Sequence, residues 1–218
     1  MGIILMDNFE YEVFNKDFNF VPKGWDVKRL KYLCDIQTGT TPDNTEGINT
    51  NEGFNFYSSE DFNPSFKLEK SEKYIEKEYV KRNTIKLYPK NSILMTTTGS
   101  KIGECGYTTQ KSYSNQNITA IIPKKINYKY LLYYLISKSK DINDNRLYTT
   151  VKKINNTDLS NIKITIPPQE KQQQITNILD KKCKTIDGIL LNKEKSLKKM
   201  MQFKYSLIYE YSSGKKWI

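Results

Sequence analysis

The 218-residue sequence contains no histidine. That removes the side chain most often used as general base and as metal ligand, so hydrolytic triads and zinc sites are poor candidates. Cysteine is scarce: Cys34, Cys105 and Cys183 lie far apart, without metal-ligand spacing, and three thiols cannot all pair. They read as reduced thiols of a cytoplasmic protein. No apolar run approaches twenty residues and the mean hydropathy is -0.68, so no helix is expected to span a membrane. The opening Met1–Met6 has no basic stretch and too short an apolar core for a signal peptide. Acid is the minority sign, with 24 Asp+Glu against 35 Lys+Arg, a net charge of +11. Cationic excess favours a polyanionic partner through counterion release. Enrichment in Lys, Asn, Ile and Tyr also follows from an A/T-rich genome, so charge alone weighs little.

What is present is enough to fold. Hydrophobic residues make up 37% of the chain and aromatics 12%, which argues against disorder. The chain divides at Ile166-Pro167-Pro168-Gln169-Glu170. Downstream there is no further proline, and the only glycines are Gly188 and Gly214. Pro168 suits the first turn of a helix, where its missing N–H loses no partner, and Glu170 favours the positive helix start. Stepping by four and three from Leu179 gives Cys183, Ile186, Leu190, Lys193, Leu197, Met200, Lys204, Leu207 and Tyr211. Eight of these ten positions are apolar or aromatic, the 3.5-residue repeat of a coiled-coil seam. A helix from Gln169 to about Ser212 would be about 65 Å long. The segment 169–218 is basic, with 11 Lys against 5 acids. Its seam, carried by Leu179, Ile186, Leu190, Leu197, Met200 and Leu207, demands a second long helix, which points to self-association.

Upstream the pattern is mixed. Runs 54–57, 92–96 and 118–122 are rich in β-branched and aromatic residues and read as strands. Residues 127–140 read as a helix starting at Asn127, its aromatic stripe serving the core. Residues 157–162 form a helical turn before the strand 163–166. The expected fold class is α+β: a globular mixed α/β domain followed by a long coiled-coil-type helix. Its expected divisions are a lightly structured leader over 1–20, a domain over 21–167 and the helix over 168–218.

Several segments imitate catalytic motifs. Asn63-Pro64-Ser65-Phe66 has the outline of the Asn-Pro-Pro-Phe/Tyr tetrapeptide of adenine methyltransferases. It lacks the second proline, and no glycine-rich turn precedes it to hold S-adenosylmethionine. Gly99-Ser100-Lys101 is not a phosphate-cradling loop, because the earlier glycine and the following helix are missing. No spaced acidic triplet suggests nuclease magnesium. What remains are polar loops: Thr38-Gly39-Thr40-Thr41-Pro42, Thr96-Thr97-Thr98-Gly99-Ser100-Lys101 and Tyr113-Ser114-Asn115-Gln116-Asn117. Amides of the last can pair bidentately with adenine. Each loop taken singly is also ordinary turn chemistry.

Their order resembles a family. Val21-Pro22-Lys23-Gly24-Trp25, Gly39-Thr40-Thr41-Pro42 and Tyr57-Ser58-Ser59-Glu60-Asp61 look like the opening of a target-recognition domain in the specificity subunit of type I restriction–modification enzymes. Thr84-Ile85-Lys86-Leu87-Tyr88-Pro89-Lys90-Asn91-Ser92-Ile93-Leu94, Thr98–Gly103 and Asn115-Gln116 follow in the family's order. The most specific piece is Ile164-Thr165-Ile166-Pro167-Pro168-Gln169-Glu170-Lys171-Gln172-Gln173-Gln174-Ile175. It is similar to the family's strand–Pro-Pro–Glu-Gln–helix junction, with Lys171 intervening. The resemblance covers roughly residues 20–215, one recognition domain and one long helix where family members usually carry two of each.

The resemblance implies recognition of double-stranded DNA without catalysis and without a cofactor or metal in this chain. It places Thr40, Thr41, Ser58, Thr97, Thr98, Ser100, Lys101, Asn115 and Gln116 at the DNA, with Lys152 and Lys153 toward its phosphates. A homodimer through antiparallel helices would read a bipartite palindromic site. Methyltransferase subunits, bringing S-adenosylmethionine, would dock on the helices, and a restriction subunit could join them. Two other readings stay open. A remnant methyltransferase would bind S-adenosylmethionine alone, and a coiled-coil adaptor would bind DNA weakly and without site preference.

Overall fold

The computed structural model describes residues 11–14, 18–42, 46–144 and 153–217. The chain forms two compact units, residues 1–176 and 177–218. The architecture is α+β, as the sequence suggests. Within the segment read as a leader, β1 (Tyr11–Phe14) pairs antiparallel with β2 (Phe18–Pro22).

The first unit is built on a five-stranded sheet ordered β4 (Cys34–Thr38), β12 (Ile118–Pro123), β9 (Ile93–Thr96), β10 (Cys105–Thr108), β7 (Lys67–Leu68). Only the β10–β7 pair is parallel. A four-stranded sheet, β11 (Ser112–Ser114), β6 (Phe54–Tyr57), β8 (Lys73–Ile75), β5 (Ile48–Asn49), packs beside it.

Both faces of the central strands are covered, which explains their unbroken apolar runs. Ile93 and Met95 of β9 and Ile121 of β12 point to one side. There they meet Leu131, Leu132 and Leu135 of α2 (Tyr128–Asp144), with Leu30, Leu33, Leu159 and Ile164. Leu94, Ile118 and Ala120 point to the other side, against Phe56, Tyr57, Ile75, Tyr113 and Tyr79, the last from α1 (Lys77–Arg82). Each such aliphatic side chain contributes about 1.5–3 kcal/mol by leaving water.

The helix expected from Asn127 starts there. Asn127 Oδ1 accepts the backbone N–H groups of Lys129 (2.9 Å) and Tyr130 (3.2 Å), the bonds of an N-cap. The aromatic stripe serves the core, as read: Tyr130 is buried, and its hydroxyl donates to the Thr165 carbonyl (2.8 Å). Asn155 caps α3 (Asn156–Asn161) by accepting the Asp158 N–H at 2.8 Å. β13 (Lys163–Ile166) then pairs antiparallel with β3 (Asp26–Arg29), joining the two ends of the unit.

The Pro167-Pro168 junction opens α4 (Gln169–Ser212), 44 residues or about 66 Å at 1.5 Å per residue. Its first turn belongs to the first unit. There Gln172 is buried, donating to the Pro167 carbonyl (2.9 Å) and accepting the Asn127 N–H (2.9 Å). Beyond it the seam is open. Ile186, Leu190, Leu197 and Met200 are 53–69% exposed, and Leu179 and Leu207 are half-buried. Among the described residues no helix is long and apolar enough to cross a membrane.

Candidate nucleic-acid interface

The sheet topology determines where the polar loops meet. β12 runs antiparallel to both its neighbours, with Thr119 opposite Thr38 and Ile118 opposite Thr96. The end of β4, the end of β9 and the start of β12 therefore lie at one edge. The loops 39–42, 97–101 and 115–117 emerge there together. The parallel β11–β6 pair sets Ser114 opposite Tyr57, and the Asn115 N–H donates to the Tyr57 carbonyl (3.1 Å), which brings Ser58 to the same edge.

Specific bonds tie the rim together. The Gly39 N–H donates to the Ile118 carbonyl (3.0 Å), and the Thr41 hydroxyl donates to Gln116 Oε1. Gly39 is required by space. A Cβ there would lie 2.2 Å from the Ser114 carbonyl oxygen and 2.4 Å from that of Asn115. The Lys101 ammonium donates to the Ser59 carbonyl at 3.1 Å, joining the 97–101 loop to the Ser58 turn. Ser58 itself turns toward Asp61, which accepts both its N–H (2.7 Å) and its hydroxyl (3.0 Å). Thr98 forms an antiparallel bridge with Lys153, adding a second exposed cation. Thr40, Ser100, Lys101, Gln116 and Lys153 are exposed; Thr41, Ser58, Thr98 and Asn115 are half-buried. Lys152 lies outside the described residues.

Thr97 corrects the sequence reading. It is 2% exposed, too deep to meet a base edge. Its N–H donates to the Asn117 carbonyl (2.8 Å), and its carbonyl accepts the Ile154 N–H (2.9 Å). Its hydroxyl lies 3.3 Å from both the Asn117 carbonyl and the Thr119 hydroxyl. Thr119, 1% exposed, is also 3.1 Å from the Thr38 hydroxyl, and Thr38 donates to Asn156 Oδ1 at 3.0 Å. This buried hydroxyl cluster fastens the ends of β4, β9 and β12 to the start of α3. Sequence reasoning missed Thr119 because a threonine inside a strand carries no mark of such a role.

The catalytic look-alikes resolve into turns. Asn63 Oδ1 accepts the Ser65 N–H (3.0 Å) and hydroxyl (2.5 Å), while its amide donates to the Lys67 carbonyl (3.2 Å). With both ends engaged locally, Asn63 shapes the entry to β7. Gly99, at φ +96°, makes the turn between β9 and β10 in a left-handed conformation that favours glycine. Burial pushes the Cys34 thiol up to about 12, with Asp35 adding to the effect, and pushes the Cys105 thiol up as well. Neither is a nucleophile at neutral pH.

Known proteins resemble this chain in sequence and in fold. The chain is 26% identical over 200 residues to the type I restriction enzyme MjaIX specificity subunit of Methanocaldococcus jannaschii, an alignment covering 88% of this chain and 45% of that protein. It is 32% identical over 120 residues to the EcoR124I/EcoR124II specificity subunit of Escherichia coli, covering 52% of this chain and 30% of the relative. The chain thus spans less than half the length of either. Among solved structures, a type I R-M system complex superposes with a TM-score of 0.75 at 20% identity, over 91% of this chain and 48% of that one. The HsdS subunit from Thermoanaerobacter tengcongensis gives 0.64 at 22% identity, over 81% and 41%. These structures share the fold. Residues 22–199 match the sequence model of the family described as "Type I restriction modification DNA specificity domain", and the chain belongs to that family.

Proposed function

We propose that this chain is a non-catalytic specificity subunit that reads double-stranded DNA for a type I restriction–modification enzyme. The observation that carries the proposal is the meeting, at one edge of the central sheet, of the Thr40–Thr41, Thr98–Lys101 and Asn115–Gln116 loops with the exposed cations Lys101 and Lys153. Hydroxyls and amides suit base edges in the major groove, and ammonium groups suit phosphates. Thr97, buried behind them, holds the rim.

The long helix completes the reading. Its exposed seam of Ile186, Leu190, Leu197 and Met200 calls for a partner helix. We assign that partner to a second copy, antiparallel by two-fold symmetry. Two recognition units would then read a bipartite palindrome whose halves lie more than one turn of B-DNA apart, as a helix pair about 50–65 Å long requires. Methyltransferase subunits would dock on the paired helices.

The test is a randomised-site selection with the full chain and its methyltransferase partner. The expected result is enrichment of a bipartite palindrome. No preference among duplexes would overturn the reading. A monomeric mass at tens of micromolar would remove the two-copy arrangement and leave DNA reading standing.

A further inference from the structure

A groove of about 410 Å³ opens beside the Thr40–Pro42 turn. Thr40 and Thr41 form one wall. The other is the segment Asn83–Lys86, which follows α1, and Tyr113 lies at the base. No carboxylate is among the described residues lining it. The contrast with a second hollow, of about 530 Å³, is sharp, since that one is lined by Glu52, Glu76 and Glu78.

The chain leaves α1 by a Schellman turn. The Ile85 N–H donates to the Val80 carbonyl (3.0 Å) and the Thr84 N–H to the Lys81 carbonyl (3.3 Å). Val80 and Ile85 pack on the same core cluster, the apolar contact that accompanies this motif. Asn83 donates both its N–H and its side-chain amide to the Tyr79 carbonyl, each at 3.0 Å. The Tyr79, Val80 and Lys81 carbonyls of the last turn are thus occupied by these donors.

Thr84 occupies the left-handed position of this turn, at φ +52°. Glycine is the usual residue there, because a β-branched side chain is strained at positive φ. Nothing in the packing asks for threonine, since Thr84 is exposed. What threonine adds over glycine is a hydroxyl at the groove. Lys86 stands two residues on, its backbone carbonyl held by Gln37 Nε2 at 3.1 Å. Its ammonium makes no ion pair among the described residues, whereas Lys81 pairs with Glu78 (2.9 Å) and Arg82 with Glu46 (3.6 Å).

We propose that this groove seats a phosphodiester of the DNA strand, held by the Lys86 ammonium and the Thr84 hydroxyl across from Thr40. The inference rests on the DNA-reading role above and extends it, because it adds a wall that carries affinity instead of base discrimination. Strain at Thr84 is tolerated for the sake of binding.

The experiment measures DNA affinity against salt for the full chain with its methyltransferase partner, in four forms: parent, Thr84→Gly, Lys86→Gln and the control Lys77→Gln beside the acidic hollow. Lys86→Gln is expected to make the log–log salt slope shallower by about 0.9, one phosphate's worth, and to leave the selected site unchanged. Thr84→Gly is expected to raise Tm by about 2–4 °C while weakening binding several-fold. Lys77→Gln is expected to do neither. An unaltered slope for Lys86→Gln, an equal change for Lys77→Gln, or full affinity in a stabilised Thr84→Gly each overturns the phosphate site while the parent still discriminates. A parent that shows no discrimination overturns the underlying reading together with this one.

Discussion

Replacing Gly39 by alanine adds one methyl group at the most crowded point of the rim. The new Cβ would sit 2.2 Å from the Ser114 carbonyl oxygen and 2.4 Å from that of Asn115, both backbone atoms. Carbon and carbonyl oxygen rest about 3.3 Å apart or more, so one backbone must retreat by about 1 Å. A retreat of that size breaks the 3.0 Å bond from Gly39 to the Ile118 carbonyl and pulls Thr41 from Gln116. Overpacking of this kind costs about 1–3 kcal/mol, and one lost hydrogen bond adds about 1 kcal/mol. The expected destabilisation is therefore about 2–4 kcal/mol, a fall in Tm of several degrees. The far apolar face, centred on Ile93 and Leu131, is untouched, so far-ultraviolet circular dichroism at low temperature should match the parent. DNA discrimination with the methyltransferase partner should fall more than tenfold, because the displaced Thr40–Thr41 turn shares its wall with Asn115 and Gln116. A variant that melts with the parent and selects the same site would refute the claim that Gly39 sets the spacing of the two loops.

Three further outcomes follow from the same structure. Thr119→Val, which keeps the shape and deletes the shared hydroxyl, should cost about 1–2 kcal/mol with an unchanged m-value in urea, since Thr97 and Thr38 retain other partners; a larger penalty than Gly39→Ala would refute this bookkeeping. Burial pushes the Tyr130 hydroxyl up to about 12 and drives Tyr57 and Tyr88 upward too. Raised folded-state values mean stability is complete below the ordinary tyrosine value of about 10 and is lost as pH climbs through the raised ones. Urea midpoints should therefore drop between pH ~10 and ~12, and constant midpoints would show these phenols to be solvated. Thiol reagents should modify Cys183, half-exposed on the seam, and leave the buried Cys34 and Cys105 unreacted in native protein. Faster labelling of Cys183 on dilution would report the opening of a two-copy assembly, whereas rapid labelling of Cys34 would contradict its burial.

The sequence announced its long-period features. The 3.5-residue repeat and the Pro167-Pro168 junction locate α4, and apolar runs locate β6, β9 and β12. The short strands Ile48–Asn49, Lys67–Leu68 and Lys73–Ile75 escaped notice because two or three residues hold no period. The six-residue α1 failed for the same reason, and Thr84 concealed its end by standing where glycine would have marked a stop. At the rim, residue types were readable but directions were not. A threonine row looks the same whether a hydroxyl meets solvent, as at Thr40, or a neighbouring strand, as at Thr97. Apart from Asn83, the residues of both groove walls stand within segments singled out in the sequence, but their meeting across the groove is brought about by tertiary packing alone.

The sheet edge has a consequence for how such a protein changes over time. Thr40, Ser100, Gln116 and Lys153 stand in water on backbone held by Gly39, Thr97 and Thr119, which lie beneath them. Exposed positions of this kind usually exchange residues at a cost within about 0.5 kcal/mol. The proposed contacting surface can thus be rewritten one side chain at a time, while the frame that aims it tolerates little change. Novelty is cheap at the rim and forbidden just below it.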